Sequence, residues 1–206
     1  MAATHKANIG MKNTSLCVDL DGTLIHTDML YEQAFGLLTA LPLSVLKLPW
    51  VLLRKSRAEL KQWIAKRVQF DPAVLPYNLD LIEWLRGEHA SGQRLVLCTA
   101  SDQHIAGITA AHLEFFAEVM ASDGTVNLEG KHKAKALVAK FRDRNSEYAG
   151  NSSPDLEVWR HVHKAIVVNA SDRLVTDVTA SSDVKKFFDG LNSKITVWAK
   201  ALRVHQ

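Results

Sequence analysis

Residues 16–25 read Leu-Cys-Val-Asp-Leu-Asp-Gly-Thr-Leu-Ile, an apolar run that halts at two carboxylates one residue apart. Leu16, Cys17 and Val18 have the character of a buried strand, whereas Asp19 and Asp21 are costly to bury unless they share a cation or a proton. A strand carries alternate residues on one face, which sets Asp19 and Asp21 on the same side, facing one point. Gly22 then permits a sharp turn. This is the outline of a metal and phosphate site. An Asp-Gly pair between apolar residues also encodes a hairpin, but Leu24-Ile25-His26-Thr27-Asp28 lacks the alternation of a return strand.

The rest of the chain weighs between these readings. Strand-like runs at Leu16–Asp19, Arg94–Thr99, Glu147–Gly150 and Ala165–Asn169, with a further candidate at Glu118–Ser122, alternate with helical patterns. The helices fall at Leu79–His89, Asp102–His112, Lys133–Phe141, Pro154–Val162 and Asp183–Leu191. Such alternation predicts an α/β fold, a Rossmann-like parallel sheet covered on both faces, whose ligands bind at the strands' carboxyl ends beside a topological switch point. The polar clusters below all fall at such ends. The 206 residues, 47% hydrophobic, suit one domain with an insertion or two small ones. A net charge of +3 is too mild to argue for nucleic acid. Cys17 and Cys98 lie in apolar runs without metal-ligand spacing, which predicts reduced core thiols in a cytoplasmic protein.

The polar residues 1–14 read as a disordered leader, with no secretory signal. Residues 15–27 and 91–192 read as the core, and 28–90 as a helical cap inserted over the site. Within that insertion Ser56-Arg57-Ala58-Glu59 is a capping box, and Asp71 is placed to cap a helix opened by Pro72. Ala34–Trp50 is strongly apolar, but Pro42, Pro49 and Lys47 favour short core-packed or membrane-facing helices over a spanning one.

Three further clusters carry chemistry. The strand Arg94-Leu-Val-Leu-Cys-Thr-Ala-Ser ends in the hydroxyls of Thr99 and Ser101 around Ala100, with Ser101 or Asp102 placed to cap a helix; the pattern serves an ordinary N-cap or a phosphate cradle. Lys131, Lys133 and Lys135 precede a helix, as a solvated face or with one lysine aimed inward to offset a phosphoryl group. Asn151 follows Gly150 at a turn, and Asp155 falls in the first turn of the next helix, where oxygen ligands can complete a Mg2+ site.

Together the four clusters resemble the haloacid dehalogenase (HAD) superfamily of phosphohydrolases. Asp19-Leu-Asp21-Gly-Thr matches its first motif, Leu97-Cys-Thr99-Ala-Ser its second, and Lys133 with the following helix its third. Gly150-Asn-Ser-Ser-Pro-Asp155 departs from the fourth, which commonly has an aspartate where this chain has Asn151. The resemblance implies that Asp19 is the nucleophile, Asp21 the general acid and base, Thr99 a phosphoryl ligand and Lys133 a charge partner. It implies Gly22, Thr23, Ala100 and Ser101 around the substrate, and Mg2+ on Asp19, Asp21, and Asn151 or Asp155. A neutral amide at 151 leaves open a second expectation, a weakly active or inactive module that binds a phosphorylated ligand.

Ser122–Gly130, Tyr148–Trp159 and Ala165–Ala170 look like the HAD domains that precede UbiA-type prenyltransferases in bacterial fusions, and 193–206 is similar to the approach to such a membrane domain. That likeness implies a small phosphorylated substrate, such as a polyprenyl or sugar phosphate. It also implies a place at the cytoplasmic face of a membrane, as the soluble part of a longer protein whose prenyltransferase the module serves or regulates.

Overall fold

The computed structural model of the chain describes residues 14–29, 71–123 and 125–188. They build one six-stranded sheet: β1 (Ser15–Val18), β2 (Arg94–Asp102), β3 (Glu118–Ser122), β4 (Ser146–Gly150), β5 (Lys164–Val168) and β6 (Val184–Phe188). The spatial order is β3-β2-β1-β4-β5-β6, and every pairing is parallel. Its helices are α1 (Leu79–Ala90), α2 (Gln103–Leu113), α3 (Lys131–Phe141), α4 (Leu156–Trp159) and α5 (Asp172–Ser181). The expected Rossmann-like sheet is what the chain forms.

Strand alternation divides the core. Leu16, Val18, Leu95, Leu97, Ile166 and Val168 pack with Leu81 and Leu85 of α1 and Ile105 and Ala106 of α2. Cys17, Val96, Cys98, Tyr148, Ala165 and Val167 pack on the other face with Leu137 of α3, Trp159 of α4 and Val178 of α5. Both faces are covered, so residues 16–18 of β1 and 165–168 of β5 read as unbroken apolar runs. Each fully buried Leu, Ile or Val contributes roughly 1.5–3 kcal/mol. Cys17 and Cys98 are buried free thiols, and burial holds Cys17 well above the ordinary thiol range and pushes Cys98 up to about 12.

Several expectations change. The segment Asp183–Leu191, expected as a helix, supplies β6 instead. Five residues such as Val-Lys-Lys-Phe-Phe suit either state, and the open edge of β5 decides by pairing Ala165 with Val184 and Val168 with Phe188. Lys185 and Lys186 on this edge strand lie over the Trp84 ring of α1 at 5.4 and 5.1 Å. The helix expected over Pro154–Val162 is a 3₁₀ turn at Ser153–Asp155 followed by the single turn α4. Residues 79–90, placed in the inserted stretch by sequence, form α1, the crossover helix between β1 and β2, with Leu81, Ile82 and Leu85 inside the core. Asp71 does cap a 3₁₀ turn, accepting from the Ala73 amide with Pro72 next in line. The leader, the apolar run Ala34–Trp50, the Ser56 capping box and the tail fall outside the described residues, among which no helix is long and apolar enough to cross a membrane.

Because Leu85 is completely buried in α1 against the sheet, Leu85→Ala should cost roughly 2–5 kcal/mol in a urea melt. A helix belonging to a separate cap would lose far less.

Candidate active site

In the order 3-2-1-4-5-6, β1 is followed in sequence by a neighbour on one side and later by one on the other, so the crevice opens between β1 and β4 at their carboxyl ends. The Asp19 amide donates to the Ala149 carbonyl at 2.9 Å and stands at that crevice. β1 itself ends at Val18, so Asp21 owes its place to a turn and not to strand alternation. The turn is not a hairpin: the neighbours of β1 are β2 and β4, and amides of Leu24 and Ile25 fold back onto the carbonyls of Asp19 and Leu20. Gly22 has φ +71°, and a Cβ there would sit 2.0 Å from Asn151 Nδ2. Only glycine lets this turn close against the loop after β4. Asn169, at φ +48° beyond β5, donates from Nδ2 to the Gly22 carbonyl at 3.0 Å.

Asp21 is held from two sides. Its Oδ1 accepts the Met29 amide at 2.7 Å, and its Oδ2 accepts the Ser101 hydroxyl at 2.7 Å with Thr99 Oγ1 at 3.5 Å. Thr99 Oγ1 also accepts the Ser101 amide at 3.0 Å. The helix after β2 is capped by Asp102, which accepts the His104 amide at 2.9 Å. Thr99, Ser101 and Thr23 are buried and stand outside the cavity wall, while Ala100 and Gly22 line it. The hydroxyls expected to face substrate therefore face Asp21 or the interior.

Of the three lysines, Lys131 and Lys135 are exposed and Lys133 is only 3% accessible. Its Nζ donates to Asp19 Oδ1 and to the Tyr148 hydroxyl, each at 2.8 Å. That hydroxyl donates to Asp155 Oδ1 at 2.7 Å. Asp155 Oδ2 accepts the amides of Asn151 and Ser152 at 3.1 and 3.0 Å and the Ser152 hydroxyl at 2.7 Å. Both Asp155 oxygens are thus engaged by the protein, which makes this carboxylate the organiser of the Asn151 loop and leaves Asn151 as the donor of that loop facing the crevice. Burial pushes the Asp19 carboxyl up to about 7, Lys133 pulling against it while Asp155 and Asp21 add to the rise. Burial lowers Lys133, but Asp19 and Asp155 more than offset this and hold its ammonium charged.

These groups surround a cavity of about 370 Å³ lined by Asp19, Asp21, Gly22, Ala100, Lys133, Asn151 and Asp155, with His26, Thr27, Asp28, Glu129, Gly130, Ser152 and Pro154 around them. Sequence reasoning missed the rim residues and missed Tyr148 and Asn169. The one available signal was a tyrosine in the short strand-like run Glu147–Gly150, two residues before Gly150.

A divalent cation fits this chemistry. Asp155 and Asp21 both add negative charge around Asp19, against the buried ammonium of Lys133, an imbalance that a doubly charged ion would offset. Among the described residues no three His, Cys, Asp or Glu side chains converge as a metal cluster. Mg2+ does not need one, since it binds through one or two carboxylates and keeps several waters. The residues that would hold it are Asp19, through the oxygen that Lys133 does not contact, Asp21 and Asn151, which all line the cavity.

The raised Asp19 carboxyl has a consequence for folding. The folded chain keeps a proton that the unfolded chain has lost, so this contribution is present below about 3.8 and disappears as pH rises to about 7. Denaturant titrations of metal-free protein should show stability falling across that window, with Asp19→Asn flattening the fall. Above it, added Mg2+ should raise the melting temperature of the parent more than that of Asp19→Asn.

No family model matches the chain. An uncharacterized protein of Sinorhizobium fredii, y4nM, is 31% identical over 194 residues, 93% of this chain; the chain spans 37% of that protein's length. A solved structure of a protein of unknown function from Bordetella pertussis Tohama I superposes with a TM-score of 0.64 at 16% identity, covering 87% of this chain and 99% of that one. A HAD family hydrolase from Salmonella enterica serovar Typhi gives 0.61 at 12% identity, covering 87% and 68%. Phosphoserine phosphatase in its apo form gives 0.58 at 13% identity, covering 87% and 94%. What the chain shares with these structures is the fold, a Rossmann-like parallel sheet flanked by helices.

Proposed function

We propose that this chain is a Mg2+-dependent phosphatase of the HAD type that works through an aspartyl-phosphate. The observation that carries the reading is the buried contact of Lys133 with Asp19 at the switch point, beside Asp21 in one cavity. A carboxylate oxygen of Asp19 attacks phosphorus as the ester P–O bond breaks, and Asp21 gives its proton to the departing alkoxide. Asp21 then takes a proton from water, whose oxygen displaces Asp19 and releases inorganic phosphate. Lys133 offsets phosphoryl charge throughout. Bound Mg2+ would screen the approach of one anion to another. Ser101, Thr99 and the Met29 amide fix the Asp21 carboxylate for its two proton transfers.

Asn151 supports a second reading. With an amide in place of a carboxylate, and with Asp155 engaged by its own loop, the site offers a cation less charge, as in a module that binds a phosphorylated ligand without turnover. Hydrolysis of p-nitrophenyl phosphate with Mg2+ separates the two. The phosphatase reading expects phosphate release that is abolished in Asp19→Asn and lowered roughly 10²–10⁴-fold in Asp21→Asn. Saturable binding of orthovanadate without release would favour the module, and unchanged turnover in Asp19→Asn would overturn the nucleophile.

The substrate class and setting rest on the resemblance of three stretches to HAD domains ahead of UbiA-type prenyltransferases. We place the substrate among polyprenyl and sugar phosphates handled at the cytoplasmic membrane face. Mass spectrometry of the natural protein tests the setting: a chain ending at Gln206 contradicts it, and a heavier product with an apolar continuation is expected. Failure to sediment with liposomes would remove the membrane surface.

A further inference from the structure

Tyr148 is used by none of these steps, yet its hydroxyl joins two charged groups of the site. It lies on β4 with no exposed surface, its ring edge-on to Trp159 at 6.3 Å, and the Trp159 indole donates to the Tyr148 carbonyl at 3.1 Å. The ring is thus fixed from both side chain and backbone. Gly150 makes room for it: a Cβ there would stand 2.7 Å from Tyr148 Cε1 and 2.8 Å from Asp155 Cγ.

The direction of the hydrogen bonds around the hydroxyl follows from its neighbours. An ammonium has no acceptor and a carboxylate no proton to give. The phenol must therefore donate its one proton to Asp155 and accept from Lys133. Lys133 Nζ consequently has Asp19 at 2.8 Å and the phenol oxygen at 2.8 Å, while Asp155 Oδ1 stays 3.8 Å away. Two buried carboxylates compete for one ammonium, and the phenol satisfies one of them with a proton that carries no net charge. We propose that Tyr148 is a positioning residue that keeps the Lys133 ammonium on Asp19 by occupying the Asp155 oxygen that would otherwise draw it away. The proposal rests on the reading of Asp19 as nucleophile for its catalytic consequence, but not for its geometry.

Tyr148→Phe removes the hydroxyl and keeps the ring. A crystal structure of that variant should show Lys133 Nζ moved to direct contact with Asp155. With p-nitrophenyl phosphate and Mg2+, kcat should fall at least about tenfold while KM stays within about twofold, because the ammonium is lost from the reacting carboxylate and not from the substrate pocket as a whole. An ammonium that remains on Asp19, or one that moves without lowering kcat, overturns the proposal. If the parent protein turns nothing over, the phosphatase reading fails, and the ammonium's position in the variant still decides the inference. Should Tyr148→Phe fail to fold, the double variant Tyr148→Phe/Asp155→Asn, which removes the competing charge along with the hydroxyl, carries the test. Lys133 held on Asp19 there supports the proposal, and Lys133 displaced from it overturns it.

Discussion

A buried ammonium shared among carboxylates is the constraint that organises this molecule. Taking Lys133 and Asp19 out of water is costly, and their attraction offsets the cost only where further hydrogen bonds satisfy the remaining donors and lone pairs. Here those bonds come from Tyr148 and, through it, Asp155. Each partner is delivered by a different element: Asp19 by the end of β1, Lys133 by α3, Tyr148 by β4 and Asp155 by the 3₁₀ turn beyond it. Removing any one leaves a buried polar group without its complement, at a cost in stability.

The parallel sheet makes this convergence possible. Its strand order places the ends of β1, β2 and β4 side by side, and the described helices pack on the two faces. α3 lies on the face to which Cys17 points. Asp19, two residues further, continues that side, which is why Lys133 meets it. Asp21 belongs instead to the turn, and its carboxylate is held toward β2 and Met29. The two neighbouring acids thereby acquire different surroundings inside one cavity, which suits the two roles proposed for them.

Among the polar clusters, the chemistry was most legible where local rules suffice. The apolar run before Asp19, the helix start at Asp102 and the Gly22 turn can be read from neighbouring residues alone. The Lys131, Lys133 and Lys135 run was ambiguous, because spacing along a helix does not say which face a sheet will cover. Asp155 read as a ligand because it is an acid in a first helical turn, whereas its oxygens are consumed by the Asn151 and Ser152 amides, the Ser152 hydroxyl and Tyr148. Thr99 and Ser101 carry hydroxyls that meet Asp21, and Thr23 is buried; these partners lie far from one another in sequence.

What the sequence determined by itself was the alternation of short apolar runs with amphipathic ones, and with it a parallel sheet having acids and hydroxyls at one end. These follow from periodicity and turn chemistry, which act over a few residues. What tertiary structure alone decided was the state of Val184–Phe188, the core role of α1, and the partner of every polar side chain at the crevice. Those outcomes depend on contacts between residues far apart in the chain, such as Asp19 with Lys133 and Gly22 with Asn169, where desolvation and competition for hydrogen bonds override local preference.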